Sequence, residues 1–242
     1  MKESFQLRQF FVGIYRWAGN SVIAATHFLA ILIVAPFSRR AVYRIMRLWS
    51  RRAGSWFQIE IKVRDESGGN WGPPPYLFIP LNQTSLADPA VAPRHLPLHR
   101  PIINIEYAMV PFIGWAYTLL GSIVIVRQWK NQAKRGIERA ARLLQRGENV
   151  LISIEGRRSS DGSISAYKKG PAVLAIRTGA TIIPLLHYGA RRVWRPGTWR
   201  IEPGTIELEI CGPIQTRGLQ YEDRNALVEQ LHAIAEEKLG SQ

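Results

Sequence analysis

Apolar and polar positions along the chain follow two periods. Short apolar runs bounded by Gly, Pro and polar residues predict strands over 57–63, 76–80, 102–105, 123–126, 150–154, 182–186 and 206–211. Helical spacing predicts helices over 107–119, 130–146, 169–177 and 222–239. Strands alternating with helices predict an α/β fold, one domain with a mostly parallel central sheet flanked by helices. The stretch 67–75, SGGNWGPPP, reads as an exposed connector between the first two strands.

Ahead of the first strand the pattern changes. The apolar run 21–37, SVIAATHFLAILIVAPF, is shorter than the roughly 20 residues that span a bilayer, and His27 interrupts it. It reads as embedded in a membrane surface. Pro36 and Ser38, Arg39, Arg40 follow it with no small-residue cleavage site, so a signal peptide fits poorly. Over 39–53, Val42, Ile45, Met46, Trp49 and Ala53 share one helical face while Arg40, Arg44, Arg47 and Arg51 share another. A solvated surface helix is the ordinary meaning of such a pattern. The adjoining apolar run, with Tyr43, Trp49 and Trp56, favours a membrane interface. The expected organisation is membrane-associating helices over 1–55 and an α/β domain over 56–242, at the cytoplasmic face of a membrane.

Charge sharpens this picture. The 242 residues carry a formal charge of +14 and a pI near 10.5, which calls for an anionic partner: nucleic acid, lipid headgroups or an acidic carrier protein. Residues 1–64 hold eleven Lys and Arg against Glu3 and Glu60, a net of +9. Those arginines lie beside a Trp-bearing apolar helix, and no strand interleaves aromatic with basic residues, so no nucleic-acid partner is expected. Cys211 is the lone cysteine and can form neither an internal disulfide nor a cysteine-based metal site, which fits a reducing compartment. No metal or cofactor is expected.

Signatures of serine hydrolases, P-loop NTPases, dinucleotide-binding folds and zinc proteases are absent. Polar clusters instead follow the predicted strands, where open α/β sheets place ligands. They are Asn82-Gln83-Thr84-Ser85-Leu86-Ala87-Asp88, then Gly121 through Arg127, then Ile154-Glu155-Gly156-Arg157-Arg158-Ser159, then Thr181 through Leu185 preceded by Tyr167-Lys168-Lys169-Gly170-Pro171. Arginine suits a phosphomonoester because its planar fork donates paired hydrogen bonds at full charge. An isolated arginine would mean only a surface ion pair, but Arg127, Arg157 and Arg158 lie just past strand ends.

In order and spacing these blocks resemble the glycerolipid acyltransferase family that includes the 1-acylglycerol-3-phosphate acyltransferases, over roughly residues 57–215. The resemblance implies transfer of a fatty acyl chain from acyl-carrier protein or acyl-CoA to a lysophospholipid-type acceptor, with membrane lipids as further partners. It implies that Asp88 orients the side chain at position 83. It implies that Asn82, Ser85, Arg127, Glu155, Gly156, Arg157, Arg158, Lys168 and Gly170 shape the acceptor site. Ile154 departs mildly from the family's proline.

The larger departure is Gln83, where the family carries its histidine base. A Gln amide can hydrogen-bond a hydroxyl but cannot take its proton, and loss of a general base costs about 10²–10⁴ in rate. The expectation is therefore an acyltransferase crippled or trapped by Gln83. The alternative is a catalytically silent, membrane-bound lipid-binding relative. Relocation of the base to His95 or His99 has the least support, because no spacing in the loop APRHLPLHRP brings either to the hydroxyl. His27, His187 and His232 read as membrane-proximal, core or helix-surface residues.

Overall fold

A computed structural model describes residues 2–126, 129–156 and 162–240. The chain opens with α1 (Lys2–Val34) and α2 (Arg39–Phe57), then β1 (Ile59–Asp65) and β2 (Tyr76–Pro80). After α3 (Asp88–His95) come β3 (His99–Asn104), α4 (Ile105–Ala108), α5 (Ile113–Leu120) and β4 (Ile123–Ile125). The second half holds α6 (Lys130–Gln145), β5 (Asn149–Leu151), α7 (Gly170–Thr178), β6 (Thr181–Tyr188), α8 (Ala190–Val193), β7 (Gly204–Ile210) and α9 (Arg224–Gly240).

The strands form one sheet in the order β1-β7-β6-β2-β5-β3-β4. Every neighbouring pair is parallel except β6 with β7. Side chains alternate across the sheet as strand geometry requires: Leu77 and Ile79 pack with α6, α7 and α9, while Phe78 packs with Val91 of α3 and Val193 of α8. Both faces are covered, which explains why the central strands read as continuous apolar runs.

Several elements differ from the sequence pattern. The predicted helix over 107–119 is broken into α4 and α5, because Pro111 and the left-handed Phe112 (φ 62°) interrupt the helical ladder. Helix α3 was not anticipated: Pro89 fits a first turn, where its missing N–H costs nothing, and Pro93 hides the rest of the pattern. His99 opens β3 and is buried, so it is not a solvated loop residue.

Helix α1 extends well past the apolar run that marks it. Its stretch Phe11–Val34 is, among the described residues, the one helix long and apolar enough to cross a membrane by length and composition, and 22% of its most apolar window is buried. The buried side, Ala24, His27 and Ile31, lies against α2 and α5. His27 Nδ1 donates to the Ile23 carbonyl at 2.6 Å and its Nε2 accepts from Arg52 at 3.2 Å. Indole N–H groups tie the helix down: Trp17 donates to the Trp199 carbonyl at 2.7 Å, and Trp56 to the Arg16 carbonyl at 2.8 Å. Gly13 and Gly19 permit this, since a Cβ there would fall 2.2 Å from Trp199 and 2.1 Å from Trp56. The opposite side leaves Val22, Leu29, Leu32 and Ile33 exposed, with Phe37 beyond the helix end.

Candidate functional site

The site forms where β2, β5 and β6 end together. Pro80 pairs with Leu185 in register, which sets Asn82 beside His187. The Asn82 amide completes the pairing: it donates to the His187 carbonyl and accepts the His187 N–H, both at 2.9 Å. The loop that follows is wound around Asp88. One carboxylate oxygen, Oδ2, accepts the N–H groups of Thr84 at 3.2 Å and Ser85 at 3.1 Å, at the start of α3 where negative charge is favoured. The Ser85 hydroxyl donates to the Trp194 carbonyl at 2.8 Å and accepts from the Ala87 N–H at 3.0 Å. Asn82 and Ser85 thus act on backbone, and they shape the loop that carries Gln83.

Glu155, just past β5, closes the loop from the other side. Its Oε2 accepts the Gln83 N–H at 2.6 Å and its Oε1 the Ser165 N–H at 2.7 Å. The side chain is 2% exposed. Burial raises its carboxyl above the ordinary carboxylate range, the two N–H donors oppose that rise, and Asp88 adds to it. Gly156 takes φ 76°, a left-handed turn that favours glycine. The Lys168 N–H returns to the Ile154 carbonyl at 2.9 Å, and the Tyr167 hydroxyl donates to the Leu81 carbonyl at 2.7 Å. Gly170 begins α7. Gln83, Asp88, Glu155, Gly156, Lys168 and Gly170 are therefore gathered at one end of the sheet, while Arg127, Arg157 and Arg158 lie outside the described residues.

Two cavities open here and share Ile102 and Asn104 as lining. The smaller, about 100 Å³, is lined by Gln83, Asp88, His99, Tyr107, Tyr117 and His187. The larger, about 690 Å³, is lined by Ile102, Ile125, Ile137 and Ile152 and by Lys134, Glu155, Gly156 and Lys168. It is of a size that holds an acyl or glycerolipid chain, with two lysines in its lining.

Sequence reasoning missed Lys134, Tyr107, Tyr117 and the cavity-lining positions of the two histidines. Lys134 reads as one more cation on an amphipathic helix, and only the packing of α6 beside β4 turns it toward the cavity. His99 is held by its Nδ1, 2.9 Å from the Pro97 carbonyl and 3.1 Å from the Tyr43 hydroxyl. Burial lowers its pKa to about 4.

Comparison with known proteins agrees with this geometry. The acyltransferase family model matches residues 74–188, the stretch from the start of β2 to the end of β6. A 1-acyl-sn-glycerol-3-phosphate acyltransferase of Pseudomonas aeruginosa is 31% identical over 188 residues, covering 74% of this chain and 70% of the relative. The chain belongs to the acyltransferase family. An enzyme of the same name from Limnanthes alba is 30% identical over 130 residues, covering 53% of this chain and 46% of the relative, so the chain spans about half the length of some curated relatives it matches. The crystal structure of the 1-acyl-sn-glycerophosphate acyltransferase PlsC from Thermotoga maritima superposes with a TM-score of 0.80 at 21% identity, over 98% of both chains. That acyltransferase-family likeness extends the shared fold to α1 and α2.

Proposed function

We propose that this protein transfers a fatty acyl chain from an acyl-carrier protein or acyl-CoA thioester to the free hydroxyl of a lysophospholipid-type acceptor such as 1-acylglycerol-3-phosphate, at the cytoplasmic face of a membrane. The observation that carries the reading is the loop after β2, held by Glu155 through the Gln83 N–H and by Asp88 through the Thr84 and Ser85 N–H groups, beside a largely apolar cavity whose lining includes Lys134 and Lys168. In this reading the acceptor hydroxyl lies against Gln83 and its phosphate at Lys134 and Lys168, with Arg127, Arg157 and Arg158 as further anion donors. The division into a membrane-associating segment over 1–55 and a catalytic domain over 56–242 belongs to the same proposal: the exposed apolar side of α1 and the exposed Arg39, Arg40, Arg44, Arg51 and Arg52 suit an anionic bilayer surface.

Chemically, the acceptor oxygen attacks the thioester carbonyl, the C–O bond forms, the C–S bond breaks, and the hydroxyl proton ends on the departing thiol. Asp88 and Glu155 fix the loop that positions the hydroxyl, which is catalysis by orientation. Gln83 offers a hydrogen bond but no proton acceptor, so on Gln83 alone transfer would run about 10²–10⁴ slower than with a positioned base. That deficit is what favours the second reading, a silent lipid-binding relative. Thiol release from acyl-CoA and from acyl-carrier protein, measured beside binding of 1-acylglycerol-3-phosphate, separates the two. Binding without thiol release from either donor would overturn the enzymatic reading.

A further inference from the structure

We infer that His187, at the end of β6, is the proton acceptor of this site and stands in for the imidazole absent at Gln83. The inference rests on the acyl-transfer reading above. His187 is 4% exposed, and neither ring nitrogen has a hydrogen-bond partner among the described residues. A buried imidazole left in that state loses the solvation of both nitrogens, a cost that native interiors seldom carry without a use. His187 is among the residues that line the 100 Å³ cavity, together with Gln83 and Asp88. That volume holds about three water molecules, or one hydroxymethyl group of a glycerol backbone.

The backbone fixes this placement. Asn82 grips the His187 N–H and carbonyl at 2.9 Å each and is joined by a peptide bond to Gln83, so the two side chains are held at adjacent strand ends. Leu185 and His187 lie two residues apart on β6 and both line the cavity, as side chains on one face of a strand must. His99 shares the cavity but is a poor rival. Its Nδ1 is held 2.9 Å from the Pro97 carbonyl and 3.1 Å from the Tyr43 hydroxyl, and burial lowers its pKa to about 4, whereas neither ring nitrogen of His187 is held by a described residue.

The step balances without any further reactant. A lone pair of a His187 ring nitrogen takes the hydroxyl proton as the acceptor oxygen bonds to the thioester carbonyl carbon. When the C–S bond breaks, the imidazolium returns that proton to the thiolate, leaving an ester, a free thiol and neutral His187. Gln83 holds the hydroxyl in place by hydrogen bonding.

The test uses the full-length protein on anionic vesicles, with a long-chain acyl-CoA and the matching acyl-carrier protein as donors and 1-acylglycerol-3-phosphate as acceptor. His187→Asn is expected to lower turnover at least about a hundredfold, with the acceptor KM changed less than threefold, and added imidazole is expected to restore part of the activity of His187→Ala. Turnover retained in His187→Asn overturns the inference and leaves acyl transfer standing. No thiol release from the unsubstituted protein with either donor overturns both. Should the variants fail to fold, the ¹⁵N ring resonances of His187 in the unsubstituted protein are expected to move when 1-acylglycerol-3-phosphate binds, and resonances that stay in place overturn the inference.

Discussion

The Glu155 carboxylate accepts the backbone N–H of Gln83 at 2.6 Å, which ties the loop after β2 to the turn after β5. Its other oxygen reaches the Ser165 N–H at 2.7 Å, so one buried side chain holds two loops. Glu155→Gln would set an amide NH₂ against one of those N–H groups, at a cost of about 1–3 kcal/mol for the donor left unpaired. Faster hydrogen exchange at the Gln83 and Ser165 amides, with turnover reduced at least tenfold, is the expected result. Unchanged exchange at both amides would show that the joint does not depend on Glu155.

Gln83→His places an imidazole where the motif resemblance implies one. If His187 already accepts the proton, the gain in the unsubstituted background is less than tenfold. In the His187→Asn background the same change is expected to raise turnover at least about a hundredfold. Turnover of all four proteins, read as a double-mutant cycle, measures that coupling.

Acid weakens this fold through His99. Its pKa is about 4 in the folded state against 6.5 unperturbed, so below pH 6.5 the unfolded chain binds a proton that the folded chain resists. Stability attributable to His99 is thus complete above pH 6.5 and falls as pH drops toward 4, by about 3 kcal/mol in all. His95, lowered to about 4 by burial and by Arg94, Arg47 and Arg51, acts in the same direction. Melting temperature measured from pH 7 to pH 4.5 is expected to fall less steeply in His99→Gln than in the unsubstituted protein.

Membrane attachment is tested on the surface of α1. Removing α1 and α2 outright would strip Val42, Tyr43, Met46 and Phe57 from the core and confound attachment with folding. Val22, Leu29 and Ile33 are exposed at helical spacing, and burying an apolar side chain of that size is worth about 1.5–3 kcal/mol. The triple change to Ser is expected to cut co-sedimentation with anionic vesicles at least tenfold while the melting temperature moves by no more than about 2 °C. Undiminished sedimentation would place the membrane contact elsewhere.

The seven described strands were legible in the sequence, the central ones as continuous apolar runs and the edge strand β1 as apolar positions alternating with charged ones, and the sheet order followed only from the structure. Helix α3 was illegible because Pro89 and Pro93 mimic a loop. The Gln83, Asp88 and Glu155 blocks were readable as polar clusters after strands. The joint between Gln83 and Glu155 was not, since it runs from a backbone N–H to a side chain 72 positions away. His187 looked like a core residue for a related reason: only the β2 to β6 register brings it beside Asn82, and a strand pattern carries no register.

The central claim is acyl transfer to a phosphorylated lysolipid, and its most direct test is the mass of the product. The full chain on vesicles would be given an isotope-labelled acyl thioester and 1-acylglycerol-3-phosphate, and the lipids extracted for mass spectrometry. The account predicts a diacylglycerol phosphate carrying the labelled chain, formed in step with free thiol and reduced at least about a hundredfold by His187→Asn. Unaltered lysolipid after complete hydrolysis of the thioester, or no change in either, would contradict it.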